Sequence, residues 1–231
     1  MQTISSRHNE LFKRVRDAAR AHGEEIVVEG PKAVADAIAA GWRALLVVGQ
    51  DVVFSDALMN DLTDTKTSQG VLALFERPRA TLGQLFARED TVVVALDGVQ
   101  DPGNVGAIVR LAAAFDAGGV ALLPGCADPF GPKAIRASAG AILNVPCVPA
   151  APGDLRWPLF AADGRGDAID PPARRAVFVF GSEGSGVSEE IARNARKIAV
   201  PMSGRVESLN VAMAAAILLA RSYGLRSAVS S

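Results

Sequence analysis

Short apolar runs that alternate with helical patterns limit the possible folds of this chain more than any other feature. In the C-terminal part, the runs that predict strands are 91–96, 120–123, 145–148, 176–180 and 198–200. Helical patterns lie between them, and a nearly apolar helix is predicted over 209–222. Continuous apolar strands alternating with helices are typical of a mostly parallel sheet covered on both faces. The sequence therefore predicts an α/β fold.

A small α/β unit precedes this series. Its predicted strands are 26–28, 44–48 and 71–75. Ser5 or Ser6 is a candidate cap for a first helix that extends to about Arg20, and Pro31 suits the first turn of a second helix. The polar stretch 80–90 is predicted to be a linker. We therefore expect two domains, residues 1–80 and 91–231.

Charge and cysteine usage exclude several classes of protein. The net charge is −1, so any nucleic-acid surface has to be a local patch. Residues 7–20 hold five Lys/Arg and two acidic residues, which suits either a phosphate-contacting patch or a solvated helix face. Cys126 and Cys147 fit no metal spacing, and two cysteines favour a reducing compartment. No signal peptide is recognised, and 209–220 is shorter than the ~18–20 residues of a membrane span. We expect a cytoplasmic protein without a metal.

Common catalytic and nucleotide fingerprints are missing from the sequence. It contains no G-x-x-x-x-G-K-[ST], no G-x-G-x-x-G after the first strand and no H-E-x-x-H. The only histidines, His8 and His22, are N-terminal, which disfavours a Ser-His-Asp triad. A P-loop enzyme, an ordinary dinucleotide-binding enzyme and a zinc protease are therefore disfavoured.

Three glycine-containing segments each follow a predicted strand. They are DGVQDPGNVGAIVR at 97–110, GSEGSGVSEE at 181–190 and PMSGRVESLNVAMA at 201–214. In open α/β sheets, ligands bind at the carboxyl ends of the strands, so we expect these segments to gather at one site. Taken singly, each has a plainer interpretation: Asn104 or Ser208 as a helix cap, Arg110 in a surface ion pair, and the glycine loops as turns.

Together, the segments resemble the three signature motifs of the SpoU/TrmH family of RNA methyltransferases, within the SPOUT superfamily. The matching stretches are NVGAIVR at 104–110, GSEGSG at 181–186 and VPMSGRVESLNV at 200–211, and IRASAGAILNVP at 135–146 is also similar. The resemblance covers about 91–225. Leu111 stands where the family commonly has threonine and Val200 where isoleucine is usual. Neither departure removes a polar catalytic group.

The N-terminal part resembles the family's small substrate-binding domain, which is related to ribosomal protein L30e. The similar stretch is IVVEGPKAVADAIAAG at 26–41. The resemblance implies that residues 1–80 form an L30e-like RNA-binding domain. It also implies a C-terminal methyltransferase domain with a deep trefoil knot, and a homodimer in which the knotted domains pack together.

For the site, the resemblance implies an S-adenosylmethionine pocket and transfer of a methyl group to a ribose 2′-hydroxyl. Gly181, Val200, Met202 and Leu209 would line the cofactor. Arg110 would act as a base or, as we favour, as a charged clamp, because arginine resists deprotonation. The residues implied to position Arg110, the ribose and the cofactor are Asn104, Glu183, Ser208 and Asn210.

Three functions stay open at this point. The separate N-terminal domain favours ribosomal RNA as the substrate, on family analogy. The second possibility is a transfer RNA 2′-O-methyltransferase. The third is a catalytically silent RNA-binding protein, against which the joint presence of Arg110, Glu183, Ser208 and Asn210 argues.

Overall fold

The computed structural model describes residues 3–20, 23–62 and 70–229. The chain divides into two compact units. The first unit is Met1–Pro78 with Phe130–Arg136, and the second is Arg79–Pro129 with Ala137–Ser231. Each unit has its own sheet and its own apolar core.

The first unit is built on a three-stranded antiparallel sheet. Its elements before Pro78 are β1 (Thr3–Ile4), α1 (Glu10–Arg20), β2 (Glu25–Glu29), α2 (Pro31–Ala39), β3 (Ala44–Val48), β4 (Val53–Phe54), α3 (Asp56–Leu62) and β5 (Leu72–Glu76). The strand order is β2-β5-β3, and β1 pairs with β4 in a separate parallel ladder. All three predicted strands of this region are present. Elements β1, β4 and α3, which are each seven residues or shorter, were not predicted.

Helix α1 closes the core of this unit. Phe12 and Val15 are fully buried, and the ring of Phe12 meets that of Phe54 edge to face at 5.7 Å. Neither Ser5 nor Ser6 caps the helix. Instead, Asn9 Oδ1 accepts a hydrogen bond from the Leu11 amide at 2.9 Å, so the helix begins later than predicted.

The second unit is built on a six-stranded parallel sheet. The elements from residue 79 onwards are α4 (Leu82–Leu85), β6 (Val92–Asp97), α5 (Pro102–Ala114), β7 (Val120–Leu122), α6 (Pro132–Ser138), β8 (Cys147–Pro149), β9 (Leu159–Asp167), β10 (Ala176–Gly181), α7 (Glu189–Asn194), β11 (Ala195–Ile198) and α8 (Val211–Val229), with short 3₁₀ turns at Ala141–Leu143 and Pro152–Asp154. Helix α6 begins in the segment assigned to the first unit. The strand order is β11-β9-β10-β6-β7-β8, and every pairing is parallel. The predicted parallel α/β sheet is confirmed.

The two central strands of this sheet are covered on both faces. Every residue of β6 and of β10 is buried, as expected for strands that have helices on both faces. Because all six strands run in the same direction, their carboxyl ends lie along one edge. The glycine-containing loops leave the sheet at that edge.

Strands β9 and β11 differ from the prediction. Only the first part of β9 is apolar, and its DGRGD ending gives the pattern of a loop, so the strand was missed. Lys197 pairs with Ala161 but Ile198 pairs with Asp167, so residues 162–166 leave the ladder as a bulge. β11 lies at 195–198 rather than 198–200 because it is an edge strand, which tolerates two exposed basic residues.

Helix α8, which is nearly apolar all round, is not buried on every side within one chain. It packs against α5, and Leu218 and Leu219 are buried. Met213 and Ile217 are 60% and 38% exposed. No helix in the described part of the chain is long and apolar enough to cross a membrane.

Candidate functional site

The site lies where β6, β10 and β11 end. We call the segments that follow them the first loop (98–101), the second loop (182–188) and the third loop (199–210). Asp97 pairs with Gly181 in the ladder, so the first and second loops leave the sheet side by side. The third loop leads directly into α8.

The first loop ends in a capped helix. Asp101 Oδ1 accepts a hydrogen bond from the Gly103 amide at 2.9 Å, and Pro102 occupies the first helical turn. Asn104 is therefore not the cap of α5, which was its plainer interpretation. Its side-chain amide instead forms hydrogen bonds outside its own helix.

The second loop is a tight turn that depends on glycine. Ser182 and Gly186 exchange two backbone hydrogen bonds of 3.0 Å, and Gly186 has a φ of 69°, in the left-handed region. A Cβ atom on Gly181 would overlap the backbone of Gly186. The buried carboxylate of Asp97 accepts a hydrogen bond from the Ser188 amide at 2.6 Å. This hydrogen bond fixes the end of the second loop to β6, the strand that precedes the first loop.

Three polar side chains, one from α5 and one each from the second and third loops, form one hydrogen-bonded cluster. Asn104 Nδ2 and Asn210 Nδ2 donate to the same carboxylate oxygen, Glu183 Oε1, at 2.9 and 2.8 Å. Asn210 Nδ2 also donates to Asn104 Oδ1 at 3.1 Å. We call these three residues the amide–carboxylate cluster. They are separated by up to 106 positions in sequence, so only the fold brings them together.

Asn210 anchors the cluster to α8, and the carboxylate of Glu183 can still accept further hydrogen bonds. Asn210 Oδ1 accepts a hydrogen bond from the Ala212 amide at 2.9 Å, so Asn210, and not Ser208, caps α8. Within the described residues, no hydrogen bond uses the second carboxylate oxygen of Glu183, Oε2. A carboxylate can accept about four hydrogen bonds, so Glu183 retains sites for a ligand or another side chain.

A cavity of about 710 Å³ adjoins this cluster. It is bounded by the second loop, the third loop and the bulge of β9. Gly181, Val200, Met202 and Leu209, which the resemblance assigned to a cofactor, all line it. Glu183, Ser208 and Asn210 line it too, although the Ser208 hydroxyl forms no hydrogen bond to the cluster within the described residues. Eight of the nine predicted site residues therefore lie in the cavity wall or the cluster.

Arg110 is the one predicted site residue that lies in neither place. It is exposed on α5, six positions after Asn104. Six residues correspond to about 240° of rotation around a helix, so the two side chains leave α5 in different directions. The role of Arg110 stays a prediction.

Sequence reasoning missed a charged group in the cavity wall. Asp163 and Arg165 lie in the bulge of β9, and Lys197 lies on β11. Lys197 Nζ is 2.8 Å from Asp163 Oδ2, and this ammonium group keeps the pKa of Asp163 below its ordinary value. The only sequence signal was an Asp-Gly pair, which is typical of any turn. Among the described residues, no cluster of His, Cys, Asp or Glu is suited to hold a metal ion.

The basic segment 7–20 carries mostly paired charges. The pairs involve Arg7 with Asp61, Lys13 with Glu10, Arg14 with Glu25, and Arg16 with Asp17. Exposed pairs of this kind contribute about 0–1 kcal/mol each. They leave the lysine and arginine side chains accessible to a competing anion.

The chain is thus an α/β protein with a cavity at the carboxyl edge of a parallel sheet. The chain belongs to the SpoU rRNA Methylase family, which matches residues 91–220. This match confirms the resemblance based on the three motifs.

Similar proteins extend the comparison to the rest of the chain. The 23S rRNA (guanosine(2553)-2'-O)-methyltransferase RlmP of Bacillus subtilis is 33% identical over 193 residues, which cover 77% of this chain and 73% of that one. The 23S rRNA (adenosine(1067)-2'-O)-methyltransferase of Streptomyces laurentii is 30% identical and covers 96% and 95%. The crystal structure of an AdoMet-bound rRNA methyltransferase from Sinorhizobium meliloti superimposes with a TM-score of 0.87 at 28% identity, over 97% of this chain and 98% of that one.

Proposed function

We propose that this chain is an S-adenosylmethionine-dependent RNA methyltransferase that methylates a ribose 2′-hydroxyl in ribosomal RNA. The observation that carries the proposal is the amide–carboxylate cluster of Asn104, Glu183 and Asn210 beside the cavity. The cluster joins all three motifs into one site, as a site that acts on two substrates requires.

The cavity fits the cofactor in size and in chemistry. Its volume lies within the roughly 300–1,000 Å³ usual for small-molecule sites. Val200, Met202 and Leu209 offer apolar surface for a purine and a methionine chain, and Gly181 lets the ligand approach the backbone. These four residues would hold the cofactor. When bound, it supplies a methyl group on a positively charged sulfur, which a hydroxyl oxygen can attack.

The protein's own residues have to orient and activate the ribose. A 2′-hydroxyl is a weak nucleophile, and a charged Arg110 would clamp an RNA phosphate and stabilise the negative charge that develops on the oxygen. Asn104, Glu183, Ser208 and Asn210 would position the ribose and the cofactor. We favour this clamp over proton removal by Arg110 because a guanidinium resists deprotonation. Rescue of Arg110→Ala by added guanidinium supports the clamp, whereas rescue only by a small neutral base contradicts it.

The first unit is proposed to hold the RNA as an L30e-like domain. Helix α1 carries Lys13, Arg14, Arg16 and Arg20, and Arg7 lies just before it. Phosphates can replace the weakly bound acidic partners, because surface ion pairs are labile. Binding of this kind weakens as salt concentration rises, which a filter-binding series in increasing salt would measure.

We also propose a homodimer that works in the cytoplasm and contains the trefoil knot of its family. The exposed apolar side chains of α8, among them Met213 and Ile217, suit burial against a second copy. Light scattering at micromolar concentration should give twice the mass of one chain. A monomeric mass would contradict the dimer.

The target nucleotide differs among the relatives of this chain. The two relatives are named for a guanosine and an adenosine in 23S rRNA, so the family does not fix the base. The test is to incubate the protein with methyl-labelled S-adenosylmethionine and, separately, unmodified rRNA and tRNA. We expect label in rRNA at one linkage that resists alkaline cleavage, and loss of that label in Arg110→Ala. Label in tRNA alone would overturn the substrate, and the absence of both label and cofactor binding would favour a silent RNA-binding protein.

A further inference from the structure

The bulge of β9 places an ion pair in the wall of the cavity. Asp163 Oδ2 lies 2.8 Å from Lys197 Nζ, and Asp163 Oδ1 accepts a hydrogen bond from the Arg165 amide at 2.9 Å. The Asp163 side chain is 21% exposed and that of Lys197 is 46% exposed. An ion pair that only stabilised the sheet could lie anywhere along the ladder. This one lies where residues 162–166 leave the ladder and border the cavity.

This pair and the amide–carboxylate cluster border one cavity from different elements. Asp163 and Lys197 lie on β9 and β11, whereas Glu183 and Asn210 lie in the second and third loops. The side chains of both groups line the same space. A ligand that reacts beside the cluster can therefore extend its nucleoside portion to the pair.

The charges at this end of the cavity select the group that binds there. Asp163 carries one negative charge, and Lys197 and Arg165 carry two positive charges around it. A net positive environment disfavours a ligand ammonium group. A hydroxyl pair suits it, because the carboxylate only accepts hydrogen bonds and the ammonium only donates them. The pKa of Asp163 is held below its ordinary value by Lys197, so the carboxylate is ionised at neutral pH.

We propose that Asp163 and Lys197 recognise the ribose diol of the adenosyl cofactor. This inference rests on the proposed function. One ribose hydroxyl donates a hydrogen bond to Asp163, and the ammonium of Lys197 donates to a ribose oxygen. The pair thereby selects a ribonucleoside over a deoxynucleoside at this end of the cavity.

The test is a set of calorimetric affinities in which both the protein and the ligand change. The ligands are S-adenosylhomocysteine, its 2′-deoxy and 3′-deoxy analogues, and 5′-methylthioadenosine, which lacks the amino-acid end. In the wild-type protein, at least one deoxy analogue should bind about 10- to 100-fold more weakly, the cost of a hydrogen bond to a charged group. In Asp163→Ala, S-adenosylhomocysteine should lose the same factor, and removal of the hydroxyl should cost nothing more.

Two further variants keep the test decisive. Asp163→Ala also removes the acceptor for the Arg165 amide, so Lys197→Met serves as a second variant that leaves this turn intact and should weaken S-adenosylhomocysteine as well. Asp167→Ala is the matched control, because Asp167 lies on the same ladder and pairs with Arg196 outside the cavity wall. Its affinity for every ligand should equal that of the wild type.

The outcomes separate this inference from the proposed function. If Asp163→Ala weakens S-adenosylhomocysteine but not 5′-methylthioadenosine, the pair recognises the amino-acid end and the diol assignment is wrong. The diol assignment is also wrong if removal of a ribose hydroxyl still weakens binding by the full wild-type factor in Asp163→Ala and in Lys197→Met. If the wild-type protein binds none of these ligands, the cofactor assignment itself fails.

Discussion

The two sheets of this protein use their charged and polar residues in different ways. In the three-stranded antiparallel sheet of the first unit, such residues pair at the surface, as Arg43 does with Glu76 at 2.9 Å and Arg14 with Glu25. In the six-stranded parallel sheet, residues 27 to 106 positions apart meet at one edge and form the amide–carboxylate cluster.

Strand direction accounts for this difference. Antiparallel neighbours end at opposite edges, so the loops of the first sheet are divided between two edges. Parallel neighbours all end at one edge, so every loop that follows a strand contributes to the same surface. The second unit therefore contains the cavity, and we expect disruption of the first unit to affect stability and RNA binding but not the cofactor site.

Removing a buried side chain from the first sheet should have the greatest consequence, a loss of stability, and it tests whether the two units are separate. Leu72→Ala removes a fully buried side chain from the first sheet and should cost about 2–5 kcal/mol of stability in a denaturant titration. Cofactor affinity of the folded variant should stay unchanged, because all residues that line the cavity fall within 162–214. Ile38→Ala, on a half-exposed position of α2, is the control and should change stability by about 0.5 kcal/mol or less. A loss of cofactor affinity in Leu72→Ala would contradict the separation.

The second prediction concerns the cluster. Glu183→Ala removes the carboxylate that both asparagines share, and the resulting misplacement of reacting groups should lower turnover about 10²-fold. Thermal unfolding should change little, because Glu183 is exposed. Glu189→Ala serves as the control, since this exposed glutamate pairs, among the residues that the structure describes, only with Arg193 on its own helix. Equal turnover in the two variants would show that Glu183 does not act in the site.

Gly181 at the end of β10 and Gly184 in the second loop provide a third, smaller contrast. Gly181→Ala places a Cβ against the Gly186 backbone, and overpacking of this kind costs about 1–3 kcal/mol. We expect weaker cofactor binding by calorimetry together with a lower melting temperature. Gly184→Ala has no atom within 4 Å of the new Cβ and should behave like the wild type. If both variants bind equally well, the tight turn is not needed for the ligand.

The smallest effect is expected at an ion pair of the second unit that lies outside the cavity wall. Arg88, whose side chain lies 2.6 Å from Asp116, lowers the pKa of this carboxyl, and Arg226 contributes further. A lowered pKa stabilises the fold above the ordinary Asp pKa of about 3.9, and this contribution is lost as pH falls through the folded-state pKa. Asp116→Asn should therefore lower the melting temperature at pH 7, by an amount that corresponds to less than about 1 kcal/mol. The difference from the wild type should shrink below about pH 4, and a difference that grows on acidification would contradict this assignment.

The sequence predicts most of the second sheet because its central strands are unambiguous. Strands β6 and β10 are continuous apolar runs, and each is followed by a glycine-containing loop. The positions of Glu183 and Asn210 beside the cavity follow from strand ends and motif matching. Their mutual hydrogen bonds do not, because sequence spacing contains no information on contacts between loops.

The residues that were missed share a physical reason. The bulge that carries Asp163 depends on a register shift between β9 and β11, which no periodicity of one strand reveals. The candidate caps Ser5, Ser6 and Ser208 do not cap their helices for a similar reason. Asn9 and Asn210 each lie two or more positions after a serine that could serve equally well, and only backbone geometry selects between them.

The first turn of α5 and the second and third loops act as one site through the amide–carboxylate cluster, and a double-mutant cycle of turnover tests this coupling. Asn104→Ala removes one member of the cluster. Asn210→Ser removes the side-chain amide of another while keeping a residue that can cap α8. The double variant should lose far less activity than the product of the two single losses, because each change already disrupts the shared unit. If the two losses simply multiply, the residues act independently and the cluster is not the functional unit.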